Sequence, residues 1–213
     1  MNTLNNPLVV VKITEMWYNM CNFEGVNGAM EEKIDLFETL ETDRLILRKI
    51  VDDDAEALYR NIYNNFEYFK FYYQFPFESF EEYKPLVEKY KKWYANGNHF
   101  RWGIVLKETN EIIGLVQLHV KDVSNNNCKI GYIIGYNYTN KGYAKEAVKA
   151  VIDFGLNILN YHRIDAEIVT ENEPSIRVAE GVGMRMESLR EDGYKIDEDY
   201  FDQKVYTIIN KKK

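Results

Sequence analysis

The sequence predicts an α+β domain built on a mixed, mostly antiparallel sheet flanked by helices. Three observations carry that reading. Apolar segments between Phe100 and Ile134 are separated only by polar turns, the pattern of antiparallel neighbours. An amphipathic stretch from about Ala144 to Leu159 then leads into another apolar segment, Arg163–Thr170. Such a strand–helix–strand crossover brings a parallel strand pair into an otherwise antiparallel sheet.

Residues 1–38 read differently from the remainder. Val9-Val10-Val11-Lys12-Ile13 after Pro7 can form a short edge strand, and Gly25 and Gly28 then break the pattern. Two readings stay open: an arm covering a neighbouring surface or subunit, or an upstream segment before a true start at Met30. The organised domain is expected over 39–213. Arg44–Arg48 alternates as a strand. Asp53 is expected to cap the next helix, with Glu56 three residues on and Ala57, Leu58, Ile62 and Phe66 continuing it. The stretch Phe66–Phe77 is unusually aromatic and reads either as an aromatic floor able to seat an aliphatic or cationic group or as core or dimer packing. Ser79 and Glu82 repeat the cap signature for a second helix that carries Leu86, Val87, Tyr90 and Trp93. Pro85 sits in its early turns, and Gly97 is expected to end it.

Phe100–Leu106 and Ile112–Val120 flank the turn Lys107–Glu111 as a hairpin. On the second strand Ile112, Gly114, Val116, Leu118 and Val120 are expected on one face, and Ile113, Leu115, Gln117 and His119 on the other. The turn Ser124–Asn127 leads to a third strand, Lys129–Ile134. The long helix should bury Ala144, Ala147, Val148, Val151, Phe154 and Ile158. A short helix, Ser175–Val182, and a hairpin of Met186–Leu189 with Tyr200–Ile209 complete the chain.

At 213 residues and 46% hydrophobic content, the chain suffices for one ordinary domain and an appendage. Its net charge of −7, without a dense basic patch, argues against a nucleic-acid partner. No stretch reaches the ~20 apolar residues of a membrane helix, and no secretory signal is recognisable. No membrane partner and a cytoplasmic location are therefore expected. Cys21 and Cys128 match neither a disulfide framework nor a zinc spacing, so both are read as ordinary thiols and no metal is expected.

The chemistry concentrates where Ile130–Tyr138 runs into Thr139-Asn140-Lys141-Gly142-Tyr143-Ala144 and the long helix starts at once. The first amides of a helix lack intrahelical acceptors, and its dipole adds positive charge there. Gly142 lets the backbone close on an anion, and Ala144 keeps the next approach small. A pyrophosphate suits such a site.

Downstream, Tyr161–Ile168 precedes Thr170-Glu171-Asn172-Glu173-Pro174-Ser175-Ile176-Arg177-Val178, and Gly183-Met184 follows. Together with Leu40–Arg48, this order resembles the GNAT N-acetyltransferase superfamily over about residues 39–210. The nearest branch is the ribosomal-protein-alanine N-acetyltransferase-like enzymes, related to the polyamine acetyltransferases. The resemblance implies acetyl-CoA as cosubstrate, an amine acceptor (a protein N-terminus or a small amine), a possible homodimer, and two parallel strands splayed around the coenzyme. The phosphate loop would be Thr139–Ala144, with Thr139 replacing the usual Gln or Arg. Ile133, Ile134 and Gly135 would pair with the pantetheine arm, while Asn172 and Ser175 would contact the coenzyme. Ala179 stands where many relatives carry the Tyr that protonates the departing thiolate, so Ser175 becomes the candidate donor; it also reads as a helix cap. His119 is the candidate base, Gln117 a candidate channel residue, and Glu167 another possible proton acceptor. The same Ala179 leaves a second class open, a catalytically silent coenzyme-binding sensor or interaction module.

Overall fold

The computed structural model describes residues 37–63, 77, 79–96, 99–122, 124–196 and 198–211. The expected N-terminal strand, the aromatic run before Phe77, the helix continuation to Phe66 and the stop at Gly97 lie outside these residues. The strands are β1 (Leu40–Glu41), β2 (Leu45–Arg48), β3 (His99–Leu106), β4 (Ile112–Asp122), β5 (Asn127–Ile134), β6 (Arg163–Val169), β7 (Arg185–Ile196) and β8 (Asp199–Ile209). They form an eight-stranded sheet in the order β1-β2-β3-β4-β5-β6-β8-β7. The helices are α1 (Ala55–Leu58), α2 (Phe80–Asn96), α3 (Tyr143–Asn157) and α4 (Glu173–Gly181).

Alternation along the strands builds two cores. Leu45, Leu47, Trp102, Val116, Leu118, Cys128 and Ile164 face α3, where Val148, Val151 and Phe154 meet them. Ile50, Val105, Leu115 and Ile133 face the other way, against Leu58, Ile62, Tyr83, Val87 and Tyr90 of the α1–α2 side. Packing already includes Phe37, whose ring centroid is 5.0 Å from that of Trp102. The Trp102 indole N–H donates to the Glu38 carbonyl at 2.8 Å.

The expected face assignment on β4 fails at its start. The register of β3 and β4 shifts between Ile104 and Val105, skipping Ile113. Ile112 and Leu115 consequently share one core, and Ile113 joins Val116 and Leu118 in the other. A bulge of this kind inserts one unpaired residue and exchanges faces, which a strict period of two cannot anticipate. The freed Ile113 carbonyl accepts from the Gly135 N–H at 2.8 Å. A Cβ on Gly114 would stand 2.5 Å from the Ile133 carbonyl oxygen, so glycine permits the close approach of β5.

The parallel pair is short. Asn127, Cys128 and Lys129 register with Arg163, Ile164 and Asp165. Beyond that point β5 continues to Ile134 and β6 to Val169 with no further pairing between them. The two strands splay into a V, as the family resemblance implied.

Local expectations were corrected in several places. Asp53 does not cap the first helix. The Asp54 carboxylate receives both Arg48 guanidinium nitrogens, at 2.6 and 2.8 Å, and the Val51 N–H at 2.8 Å. A 3-10 turn (Asp52–Asp54) therefore precedes α1, and a π turn (Tyr59–Tyr63) follows it. Ser79 does cap α2, its hydroxyl accepting from the Glu82 N–H at 3.3 Å. Ile158 is 38% exposed at the C-cap of α3, and Leu159 is buried in its place. The closing hairpin is far longer than expected, because β7 is exposed almost throughout and carries no apolar alternation to read.

Candidate active site

The N-terminus of α3 is built from backbone. Gly142 is its N-cap at φ 81°, a left-handed conformation that suits glycine, and no side chain caps it. The helical ladder begins when the Glu146 N–H donates to the Gly142 carbonyl at 3.1 Å. The amides of Tyr143, Ala144 and Lys145 precede that bond and have no intrahelical acceptor. The preceding loop is held internally: the Thr139 hydroxyl donates to the Tyr136 carbonyl at 2.9 Å, and Asn140 takes a left-handed φ of 59°. Lys141 lies over the Tyr138 ring, 5.6 Å from its centroid.

One neighbour of this loop was not legible beforehand. The Arg44 guanidinium donates to Glu146 at 2.7 Å and to the Lys141 carbonyl at 3.0 Å, and stacks 4.6 Å from the Tyr143 ring centre. A nitrogen of Arg44 comes within 3.4 Å of where a Gly142 Cβ would be. Glu146 fixes it by also accepting from the Thr42 hydroxyl at 2.6 Å and the Arg44 N–H at 2.9 Å. A permanent cation thus borders the free amides. Sequence reasoning saw Arg44 only as the start of a strand, since its partner lies 102 positions away.

The V between β5 and β6 opens into a cavity of about 170 Å³. Ile130, Gly131 and Tyr132 line one wall, Ala166–Val169 the other, with Val148 of α3 and Asn172, Ser175, Val178 and Ala179 of α4 at the side. Val148 lies five residues from the first residue of α3, ~7.5 Å along the helix. Asn172 caps α4: its side chain accepts from the Ser175 N–H at 3.2 Å. The helix therefore starts two residues earlier than expected, and the Ser175 hydroxyl is not consumed as a cap. The Tyr132 hydroxyl reaches the Ser175 carbonyl at 3.5 Å, beside Ala179 in the same cavity. Tyr132 was missed because it belongs to β5, whereas the expected Tyr would have come from α4.

On the α1–α2 side of the sheet, Gln117 overlies Gly131; its amide nitrogen would be 3.3 Å from a Cβ there. Arg101 donates to the Gln117 side-chain oxygen at 2.8 Å. His119 pairs in register with Lys129. Its partial burial, then the charges of Lys129 and Arg101, hold its imidazole pKa below the usual range. It is therefore largely neutral at neutral pH, although it does not line the cavity. Glu167 does line it. Burial pushes its carboxyl upward, but hydrogen bonds and charge from Lys129 and Arg190 outweigh that and hold it low. Glu167 is thus a poor proton acceptor, contrary to one expectation.

Of the residues singled out in the sequence, Asn172 and Ser175 meet in the cavity. Thr139–Ala144 form the loop at the α3 N-terminus. Ile133, Ile134 and Gly135 lie beyond the lining, and the Gly135 N–H is spent on Ile113. Phe77 packs against Tyr63 and Tyr83, 5.6 and 5.4 Å between ring centres. Cys128 is buried, which pushes its thiol pKa far up. No group of residues suited to a metal ion occurs among the described residues, and no described helix is long and apolar enough to cross a membrane.

A parallel pair that separates after three register positions, beside a helix N-terminus that no side chain caps, is the arrangement the resemblance to N-acetyltransferases implied. The profile of the Acetyltransferase (GNAT) domain matches residues 44–185, and the chain belongs to that family of N-acetyltransferases. It is 34% identical over 175 residues to the uncharacterised N-acetyltransferase YoaA of Bacillus subtilis (strain 168), covering 82% of this chain and 98% of the relative. A GNAT-family acetyltransferase from Bacillus anthracis superposes with a TM-score of 0.73 at 27% identity, covering 82% of this chain and all (100%) of that one. Spermidine N-acetyltransferase from Vibrio cholerae, solved with CoA and spermine, gives a TM-score of 0.69 at 25% identity, covering 80% and 98% respectively.

Proposed function

We propose that the chain transfers an acetyl group from acetyl-CoA directly to a primary amine, holding the coenzyme pyrophosphate at the amides of Gly142–Lys145. The observation that carries this reading is a juxtaposition along one helix. An uncapped N-terminus bordered by Arg44 opens the same helix whose Val148 lines the cavity in the V between β5 and β6. Free amides and an adjacent guanidinium suit a doubly charged anion. A cavity of about 170 Å³ suits the acetyl-thioester end rather than the whole coenzyme, whose remainder would lie along α3.

The residues divide the chemistry among them. The β6-facing edge of Ile130–Ile134 offers backbone groups to the pantetheine arm and to the developing oxyanion; one such donor is worth ~3 kcal/mol. The neutral His119 takes the ammonium proton, directly or through water. The amine attacks the thioester carbonyl, the C–S bond breaks, and the thiolate takes a proton from Tyr132 or Ser175 in place of the absent α4 Tyr, while the proton shed by the acylated nitrogen passes through water to that donor and restores it.

A second reading rests on Ala179: a chain that binds the coenzyme without turning it over. Titration with acetyl-CoA followed by thiol release across a panel of amines and N-terminal peptides separates the two. Binding with turnover above hydrolysis supports the transferase, and binding with no turnover supports the silent module. No binding at near-millimolar acetyl-CoA removes both.

A further inference from the structure

We propose that the acceptor amine carries its own anionic group, a carboxylate or a phosphate, held by Arg101, Lys129 and Arg190 at the sheet-face mouth of the cavity. The inference rests on the transferase reading above.

The mouth is defined by lining residues Gly131, Glu167 and Gln203, which share the α1–α2 face. Three cations converge on Glu167: Lys129 at 2.5 Å, Arg190 at 3.0 Å and Lys121 at 3.7 Å. One carboxylate cannot neutralise them. Lys121 is shared with Asp165 at 3.1 Å, Asp165 also takes Arg163 at 2.6 Å, and Arg163 pairs with Glu187. Among the described residues the network therefore sets the cations Lys121, Lys129, Arg163, Arg185 and Arg190 against the acids Asp165, Glu167 and Glu187, leaving an excess positive charge. Arg101 stands beside this network, donating to the Gln117 side chain above Gly131. Lys129 and Arg101 also act on His119, whose imidazole pKa is lowered first by burial and then by these two charges. This concentration of positive charge stands on a chain whose net charge is −7.

The consequence for acceptor choice is electrostatic. A polyamine would bring further positive charge to a mouth already in excess, whereas an anionic amine would bring its amino group to the thioester while its acidic group sits among donors. Like-charge juxtaposition excludes wrong partners and opposite charge sets orientation.

The test measures thiol release by the full chain with acetyl-CoA and glutamate, O-phosphoethanolamine, propylamine or spermidine. At low salt, kcat/KM for glutamate or O-phosphoethanolamine is expected to exceed that for spermidine by at least ~10-fold, the scale of one charge-assisted contact. The preference should shrink as salt is added. The two anionic amines distinguish a carboxylate from a phosphate site. Arg190→Ala should raise KM for the preferred anionic amine ~10-fold and leave KM for acetyl-CoA unchanged. Lys129→Glu should shift the preference towards spermidine. Spermidine preferred by the wild type, or Arg190→Ala without effect on the acceptor KM, overturns the proposal while the transferase reading stands. Should no amine turn over, calorimetry of both anionic amines into CoA-loaded protein decides: binding weakened by Arg190→Ala supports the proposal, and no binding overturns it. Failure to bind acetyl-CoA at all strikes the functional reading itself.

Discussion

The two ends of the candidate site are built from different materials. At the α3 N-terminus the recognition groups are backbone amides, exposed because Gly142 caps the helix without a side chain. At the sheet face the groups are side chains from separate strands, Arg101 on β3, Lys129 on β5, Glu167 on β6 and Arg190 on β7. The first kind of site depends on local chain geometry and accepts most side chains. The second depends on register between distant strands, and one residue of slip removes it. The coenzyme end should therefore respond to changes in backbone freedom, and the acceptor end to changes in charge.

The largest effect should come from Gly142→Glu. It forces a side chain into the left-handed conformation and sets a carboxylate at the amides. Acetyl-CoA affinity should fall at least ~100-fold by calorimetry, with a stability loss of ~1–2 kcal/mol from the backbone alone. Gly142→Ala shares the strain without the charge and should retain most of the affinity. Equal losses in the two variants would mean that conformation, not access to the amides, sets binding.

Next comes Tyr132→Phe, which removes one hydroxyl near Ser175 and leaves the ring packed. As a general acid the hydroxyl would contribute ~100-fold to kcat, and KM for acetyl-CoA should not move. If kcat changes only in the Ser175→Ala variant, the donor is Ser175.

The smallest effect is a displacement of the pH profile. A base must be neutral to act, so activity rises with pH through the His119 pKa, which lies below the usual imidazole range. The acid limb of kcat/KM should therefore sit below that range. Lys129→Ala removes a nearby cation and should move the limb upward, and His119→Gln should abolish it.

The same contrast explains what could be read in advance. The α3 loop was legible because strand, glycine and amphipathic helix follow one another within about fifteen positions. The splay of β5 and β6 was not read from periodicity; it followed from the family resemblance. The β4 bulge was invisible because Ile112, Ile113 and Leu115 are all apolar, so a slip of faces leaves no mark on the pattern. Arg44 and Tyr132 were missed for another reason: each acts on a partner remote in sequence, Glu146 and Ser175. Asp54 and Asn172 show how near neighbours compete. Arg48 claims the Asp54 carboxylate and shortens the first helix, whereas Asn172 caps α4 and releases the Ser175 hydroxyl.

The most direct test is an amide-resolved NMR titration of the ¹⁵N-labelled chain with CoA. The account predicts saturating shifts that are largest at Gly142, Tyr143, Ala144 and Lys145, with smaller ones along Ile130–Tyr132. Saturable shifts centred elsewhere, with those four amides unmoved, would contradict it.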